Sequence, residues 1–178
     1  MTEIEKLIQR FKQAGAYVIS NHNFKKEGLT VSAVIDASQL KTLAKDLYRQ
    51  GYSLLDLSTL EVKEGFLLTY HFDKFEKPGR IALRVLLEGP GPIAPSLYEI
   101  FQGAEWHERE SHDFFGVKFA GNPNLIPLLL PDDFQAPPPL RKNPESLTSL
   151  AALKLFGSYE ILSSRWETII NSKVENIS

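Results

Sequence analysis

From Trp106 to Arg141, charges, aromatics and prolines are interleaved so tightly that most regular folds are closed to these residues. The run contains Glu108-Arg109-Glu110, then Asp113-Phe114-Phe115-Gly116-Val117-Lys118-Phe119 and Gly121-Asn122-Pro123. Leu128-Leu129-Leu130, Pro131-Asp132-Asp133-Phe134 and Pro137-Pro138-Pro139-Leu140-Arg141-Lys142 follow. The prolines remove backbone donors and fix φ, so neither helix nor central strand extends across them. The aromatics and leucines argue against disorder. Charges pressed against them make a poor core and a poor solvated loop. Such a strap is predicted to pair its ions, and to rest its irregular backbone, on a second polypeptide. It is expected to be mobile until that surface arrives. The triple proline reads as a stiff spacer that presents Leu140, Arg141 and Lys142 at a set distance.

The chain around the strap is ordinary. At 178 residues it fits one domain with a short appendage. A net charge of −2 gives no basic field for nucleic acid. The absence of cysteine excludes disulfides, thiolate nucleophiles and all-cysteine zinc or iron–sulfur sites. No window reaches the ~20 apolar residues that cross a bilayer. The acidic start, Thr2-Glu3-Ile4-Glu5, does not read as a signal peptide. A cytoplasmic chain without a membrane span is expected, meeting a membrane only through partners.

Periodicity predicts the elements upstream. Thr2 and Glu5 form a capping box before Ile4, Leu7, Ile8 and Phe11, and Gly15 stops that helix. Residues 16–20 read as a short strand, and Asn21-His22-Asn23 as a loop. Leu29, Val31, Ala33 and Ile35 alternate with Thr30 and Ser32. A second helix places Leu40, Leu43, Ala44, Leu47 and Tyr48 on one stripe, capped by Asp36 or Ser38 and ended by Gly51. Strands are predicted over 52–62, 66–72 and 81–87, the last two joined by a turn at Lys77-Pro78-Gly79. Gly89-Pro90-Gly91-Pro92 breaks the pattern. Short helices are expected over 95–101 and 105–115. The order α-β-β-α-β-β-β predicts an α+β fold: a mixed or antiparallel sheet with two helices on one face, then an irregular proline-rich docking arm and a C-terminal tail. This divides the chain into a core domain at 1–94, the arm segment at 95–143, and a partner-contacting tail at 144–178. In the tail, Leu162, Trp166, Ile169 and Ile170 share one side of a helix. That stripe suits the chain's own core and a neighbouring subunit equally well.

Independent chemistry is weakly supported. His107 and His112 are five residues apart, so at helical pitch they point roughly 140° away from each other and fail the zinc-hydrolase geometry. Glu108 with His112, and Arg109 with Asp113, have the spacing of helix-stabilising pairs. Glu108, Glu110 and Asp113 offer carboxylates for acid–base work, but no nucleophile, phosphate cradle or dinucleotide loop accompanies them.

Trp106, Glu108-Arg109-Glu110, Asp113, Phe115-Gly116, Phe119, Gly121 and Pro123-x-Leu125 together resemble the signature of the 30 kDa subunit of respiratory complex I (NADH-quinone oxidoreductase), a subunit also found in membrane-bound hydrogenases. The resemblance runs from about Pro95 to Lys142. It implies a cofactor-free, non-catalytic subunit of the hydrophilic arm of a membrane-bound redox complex, at the inner face of the cell membrane. The implied partners are a large catalytic subunit, with a nickel–iron centre or a quinone pocket, and a neighbouring iron–sulfur subunit. Trp106, Glu108, Arg109, Glu110, Asp113, Phe115, Gly116, Phe119, Pro123, Leu130, Pro131, Asp132, Asp133, Leu140, Arg141 and Lys142 are then the implied interface. Catalytic, cofactor and metal residues are expected to be none. Where complex I members carry His-Pro-Asp-Leu-Arg-Arg, this chain has Asn122-Pro123-Asn124-Leu125-Ile126-Pro127. Its Leu130-Pro131-Asp132-Asp133-Phe134 is closer to the hydrogenase and formate hydrogenlyase branch. The resemblance therefore points to an ion-pumping nickel–iron hydrogenase, with a quinone-reducing complex I as the alternative.

Overall fold

A computed structural model describes residues 1–75, 79–153 and 155–172 of the chain. Thr2 accepts from the Glu5 amide and Glu5 from the Thr2 amide, starting α1 (Glu3–Gln13) with Leu7 and Phe11 buried. After Gly15, at φ 74°, comes β1 (Val18–Asn21). Asn23 caps a single helical turn, α2 (Phe24–Glu27), where the sequence predicts only loop. Next come β2 (Val31–Val34) and α3 (Ala37–Arg49), the latter capped by Asp36. Leu40, Leu43, Ala44 and Leu47 of α3 are buried as expected. Tyr48, predicted on the same stripe, is instead 60% exposed and meets Phe101 edge-on.

Three long strands, β3 (Ser53–Val62), β4 (Gly65–Asp73) and β5 (Ile81–Leu87), pair antiparallel in succession. Lys77 and Pro78 of the turn predicted between β4 and β5 lie outside the described residues. β5 runs parallel to β2, β2 antiparallel to β1, and β1 antiparallel to β8 (Ser158–Ile161). The result is a mixed, mostly antiparallel six-stranded sheet in the order β3-β4-β5-β2-β1-β8. The main core joins Leu7 and Phe11 of α1, and Leu40, Leu43 and Leu47 of α3, to alternate residues of the strands, among them Val31, Leu68, Tyr70, Phe72 and Leu83.

Residues beyond 94 enter that same core. β6 (Ile93–Pro95) pairs parallel with β7 (Lys118–Ala120), and α4 (Ala104–Phe115) lies between them in sequence. Leu97, Ala104, Val117 and Phe119 are buried with the α1 and α3 side chains. The helix predicted over 95–101 is replaced by the end of β6 and one turn in which the amides of Ile100 and Phe101 both donate to the Leu97 carbonyl.

The opposite face of the sheet is also covered. Val18, Val34, Val62 and Leu67 pack against Leu150 and Trp166, with Trp166 on α5 (Ser164–Asn171). Tyr17 stacks on Trp166 with ring centroids 6.3 Å apart. Of the tail stripe, Trp166 is buried and Ile169 and Ile170 pack beside it, whereas Leu162 is 43% exposed. A sheet covered on both sides buries every residue of a central strand, which is why Ser32, predicted on a polar face, is enclosed.

Candidate partner-docking face

α4 presents three ions to the chain that loops back over it. Glu108 is fully buried: Oε1 accepts from the Leu97 amide (2.7 Å), and Oε2 from Ser96 Oγ (2.7 Å) and Asn122 Nδ2 (2.8 Å). Burial pushes its carboxyl above the ordinary glutamate range, and the three donors and Lys41 only partly offset this. Arg109 donates to two backbone carbonyls, Nε to Ile126 (3.0 Å) and Nη2 to Pro127 (2.7 Å), and lies 3.7 Å from Glu105. Asp113 Oδ2 accepts from three successive amides, Leu128, Leu129 and Leu130, at 2.9, 2.8 and 3.2 Å. Burial raises the Asp113 carboxyl, but those three donors outweigh it and hold the group below the usual aspartate range.

The arm's far end is tied to the tip of the β3–β4 hairpin. Glu61 accepts from Arg141 Nε (2.8 Å) and from the Lys142 amide (2.7 Å), and the Arg141 guanidinium lies 4.8 Å from the Phe66 ring centre. Two residues past the end of β3, Glu64 accepts from Ser149 Oγ and the Leu150 amide. Between these ties the chain passes from the helical face of the sheet to the other. Pro138 packs on Gly116, whose φ of 75° and 3.2 Å clearance for a Cβ exclude a larger residue without strain.

These contacts correct the prediction that the strap's ions need a foreign chain. Glu108, Arg109, Asp113 and Arg141 are all matched within the molecule. Helical spacing names only ionic partners on α4 itself, and the expected Arg109–Asp113 and Glu108–His112 pairs do not form. Instead the irregular arm, having no ladder to satisfy its own amides and carbonyls, supplies them to the helix. Phe119 is buried in the core, and Phe115, Gly116 and Leu130 are half-buried. Ser96, Asn122, Glu61 and Glu64 were not foreseen. Only the Asx turn in which Asn122 Oδ1 accepts from the Asn124 amide had a local signal.

What the braced arm shows to solvent is largely apolar. Trp106 is 62% exposed, Leu129 60%, Ile126 55%, Leu140 50% and Phe134 37%. Glu110, Pro123, Pro131, Asp132, Asp133, Arg141 and Lys142 are exposed as well. A groove of about 180 Å³ opens between the arm and the end of α4, lined by His112, Asp113, Pro127, Leu130, Phe134 and Pro138. His107 faces Asp56 while His112 Nδ1 meets the Val117 carbonyl, so the two histidines share no site. Among the described residues no group of three or more histidines and carboxylates is placed to hold a metal, and no helix is long and apolar enough to cross a membrane.

Residues 33–147 match the family described as respiratory-chain NADH dehydrogenase, 30 kDa subunit. The chain belongs to this family. The family match begins well upstream of Pro95, where the resemblance in sequence first becomes legible, and so takes in most of the sheet. Among relatives, NAD(P)H-quinone oxidoreductase subunit J of Prochlorococcus marinus (strain MIT 9211) is 34% identical over 119 residues, covering 61% of this chain and 66% of that protein. An NADH-quinone oxidoreductase subunit of Roseiflexus castenholzii is 42% identical over 78 residues, 44% of each chain. The chain thus spans less than two thirds of the length of these family members. The fold resembles the trypsin-resistant fragment (1-134) of Nqo5, with a TM-score of 0.60 and 21% identity over 70% of this chain and all of that one. It also resembles a chain of the membrane-bound sulfane sulfur reductase, an archaeal respiratory membrane complex, with a TM-score of 0.57 and 21% identity over 68% of this chain and 72% of that one.

Proposed function

We propose that this chain is a non-catalytic, cofactor-free subunit of the hydrophilic arm of a membrane-bound respiratory redox complex, docking onto the large catalytic subunit. One observation carries the reading: ions and backbone lock the arm to α4 and the β3–β4 tip, yet leave Trp106, Ile126, Leu129 and Leu140 in water. Exposed apolar patches braced in this way mark protein interfaces. Glu110, Asp132, Asp133 and Lys142 form the polar rim, and Pro123 and Pro131 are exposed as well. Glu108, Arg109, Asp113 and Phe119 act beneath it as framework, Gly116 and Leu130 line the groove, and Phe115 packs against the main core. Tyr159 and Leu162 on the tail, both over 40% exposed, add a second, smaller grip. The chain's part in electron transfer is to place neighbouring iron–sulfur centres rigidly, on the inner side of the membrane.

Within the superfamily we assign it to an ion-pumping nickel–iron hydrogenase. Support comes from the wording at Asn122–Pro127 and Leu130–Phe134, which departs from that of the quinone reductases. A quinone oxidoreductase is the second reading, favoured by the names of the curated relatives. Affinity purification of the tagged full chain from its native host tests both. Capture of a large subunit with nickel supports the hydrogenase, and capture of a nickel-free large subunit with quinone reductase activity supports the alternative. A chain that comes through alone would overturn the proposal.

A further inference from the structure

The sheet face opposite α1 and α3 holds a polar cleft that docking does not use. It measures about 350 Å³ and is lined by His22, Glu27, His71, Arg80, Arg84 and Leu155. Three of its basic groups already have a carboxylate at hand. His22 Nδ1 meets Glu27 Oε2 at 2.7 Å, His71 Nδ1 meets Asp56 Oδ2 at 3.8 Å, and Arg80 Nε meets Asp73 Oδ2 at 3.8 Å. Arg84 differs. It stands on the central strand β5, is 6% exposed, and has no carboxylate within 4 Å among the described residues. Its Nη1 donates to Ser32 Oγ at 2.6 Å, and its Nε has no partner. The Ser32 hydroxyl also meets His22 Nε2 at 2.9 Å. Ser20, opposite Ser32 across the β1–β2 pair, buries a hydroxyl that is likewise without a partner.

Burial alone brings the Arg84 guanidinium down to about 10, and the Phe156 ring, 5.7 Å away, is a weak substitute for a counter-ion. An uncompensated cation inside a sheet is costly, so its retention calls for an anion. We propose that this cleft binds the carboxylate of a small organic acid, with Arg84 as the counter-charge. The unmet charge is a single positive one, which suits a monoanion better than a phosphate dianion. A planar guanidinium matches a planar carboxylate. Leu29 and Leu155 give the ligand's carbon skeleton an apolar wall, in a volume typical of small-molecule sites.

Calorimetric titration of the full chain at constant ionic strength, with acetate, butyrate, benzoate and inorganic phosphate, tests this. Saturable one-to-one binding of butyrate and benzoate is expected, weaker for acetate and weaker still for phosphate. Loss of a charge-assisted contact in Arg84→Met should weaken butyrate binding roughly tenfold or more. Arg80→Gln, at an exposed guanidinium already beside Asp73, should change it far less. Amide shifts in the wild-type chain, which need no variant, should centre on Ser32 and Arg84. Absence of saturable carboxylate binding up to the order of 10 mM, shifts centred elsewhere, or unchanged affinity in a folded Arg84→Met protein would overturn the proposal. Phosphate binding tighter than butyrate would overturn the carboxylate assignment.

Discussion

Glu108 and Asp113 share a helix and a charge, yet their surroundings drive them in opposite directions. Both are buried. At Glu108 desolvation wins, so folding favours the protonated form. At Asp113 three amides aimed at one oxygen win, so folding favours the anion. The linkage signs follow. The raised Glu108 group contributes stability that is lost as pH climbs through the window just above the ordinary glutamate value, whereas Asp113 contributes stability lost as pH falls below the ordinary aspartate value. Urea unfolding across pH 3–7 should therefore show an acid limb that Asp113→Asn flattens, with a loss of about 1.5–3 kcal/mol at neutral pH where the ionic acceptor is removed. Glu108→Gln should cost about 1–3 kcal/mol at neutral pH, because its amide group brings donors to a place where three donors already converge. An acid limb unchanged in Asp113→Asn would contradict this account.

At the scale of elements, α4 was legible and its neighbours were not. A helix is expected over 105–115 and stands at Ala104–Phe115, but nothing in its own sequence names what packs on it. Glu61 and Glu64 are separated from Arg141 and Ser149 by some eighty residues, and no local pattern connects them. α2 was missed because four residues are too few for a period, although Asn23 carried its capping signal. The expectation of a mobile arm gives way, for the same reason, to that of an arm fastened at two separable points. Hydrogen exchange on the isolated chain should show protected amides at Leu128–Leu130 and at Lys142. Asp113→Asn should speed exchange at the first group and leave Lys142 protected; Glu61→Gln should do the reverse. Exchange that rises at both points in either variant would mean the arm is a single unit.

For the whole molecule, the sequence placed the helical face of the sheet well, because α1 and α3 carry clean stripes and sound caps. The second face was left open because Leu162, Trp166, Ile169 and Ile170 suit any apolar surface, and only the sheet shows which of them is used. Two tryptophans now separate stability from assembly. Trp166, 3% exposed and stacked near Tyr17, should cost roughly 3–5 kcal/mol when cut to alanine. Trp106 is 62% exposed, with its ring centre 5.8 Å from the Arg109 guanidinium, so Trp106→Ala should shift stability by about 0.5 kcal/mol at most. Combined with Leu129→Ser and Leu140→Ser, it removes three exposed apolar side chains of the proposed docking face while sparing every ionic tie beneath. That triple variant should melt close to the wild-type temperature yet lose most of its capture of the large subunit, since a few buried anchors carry most of the energy of an interface. A variant that keeps its melting temperature and still captures the large subunit in full would place the docking face elsewhere on the molecule.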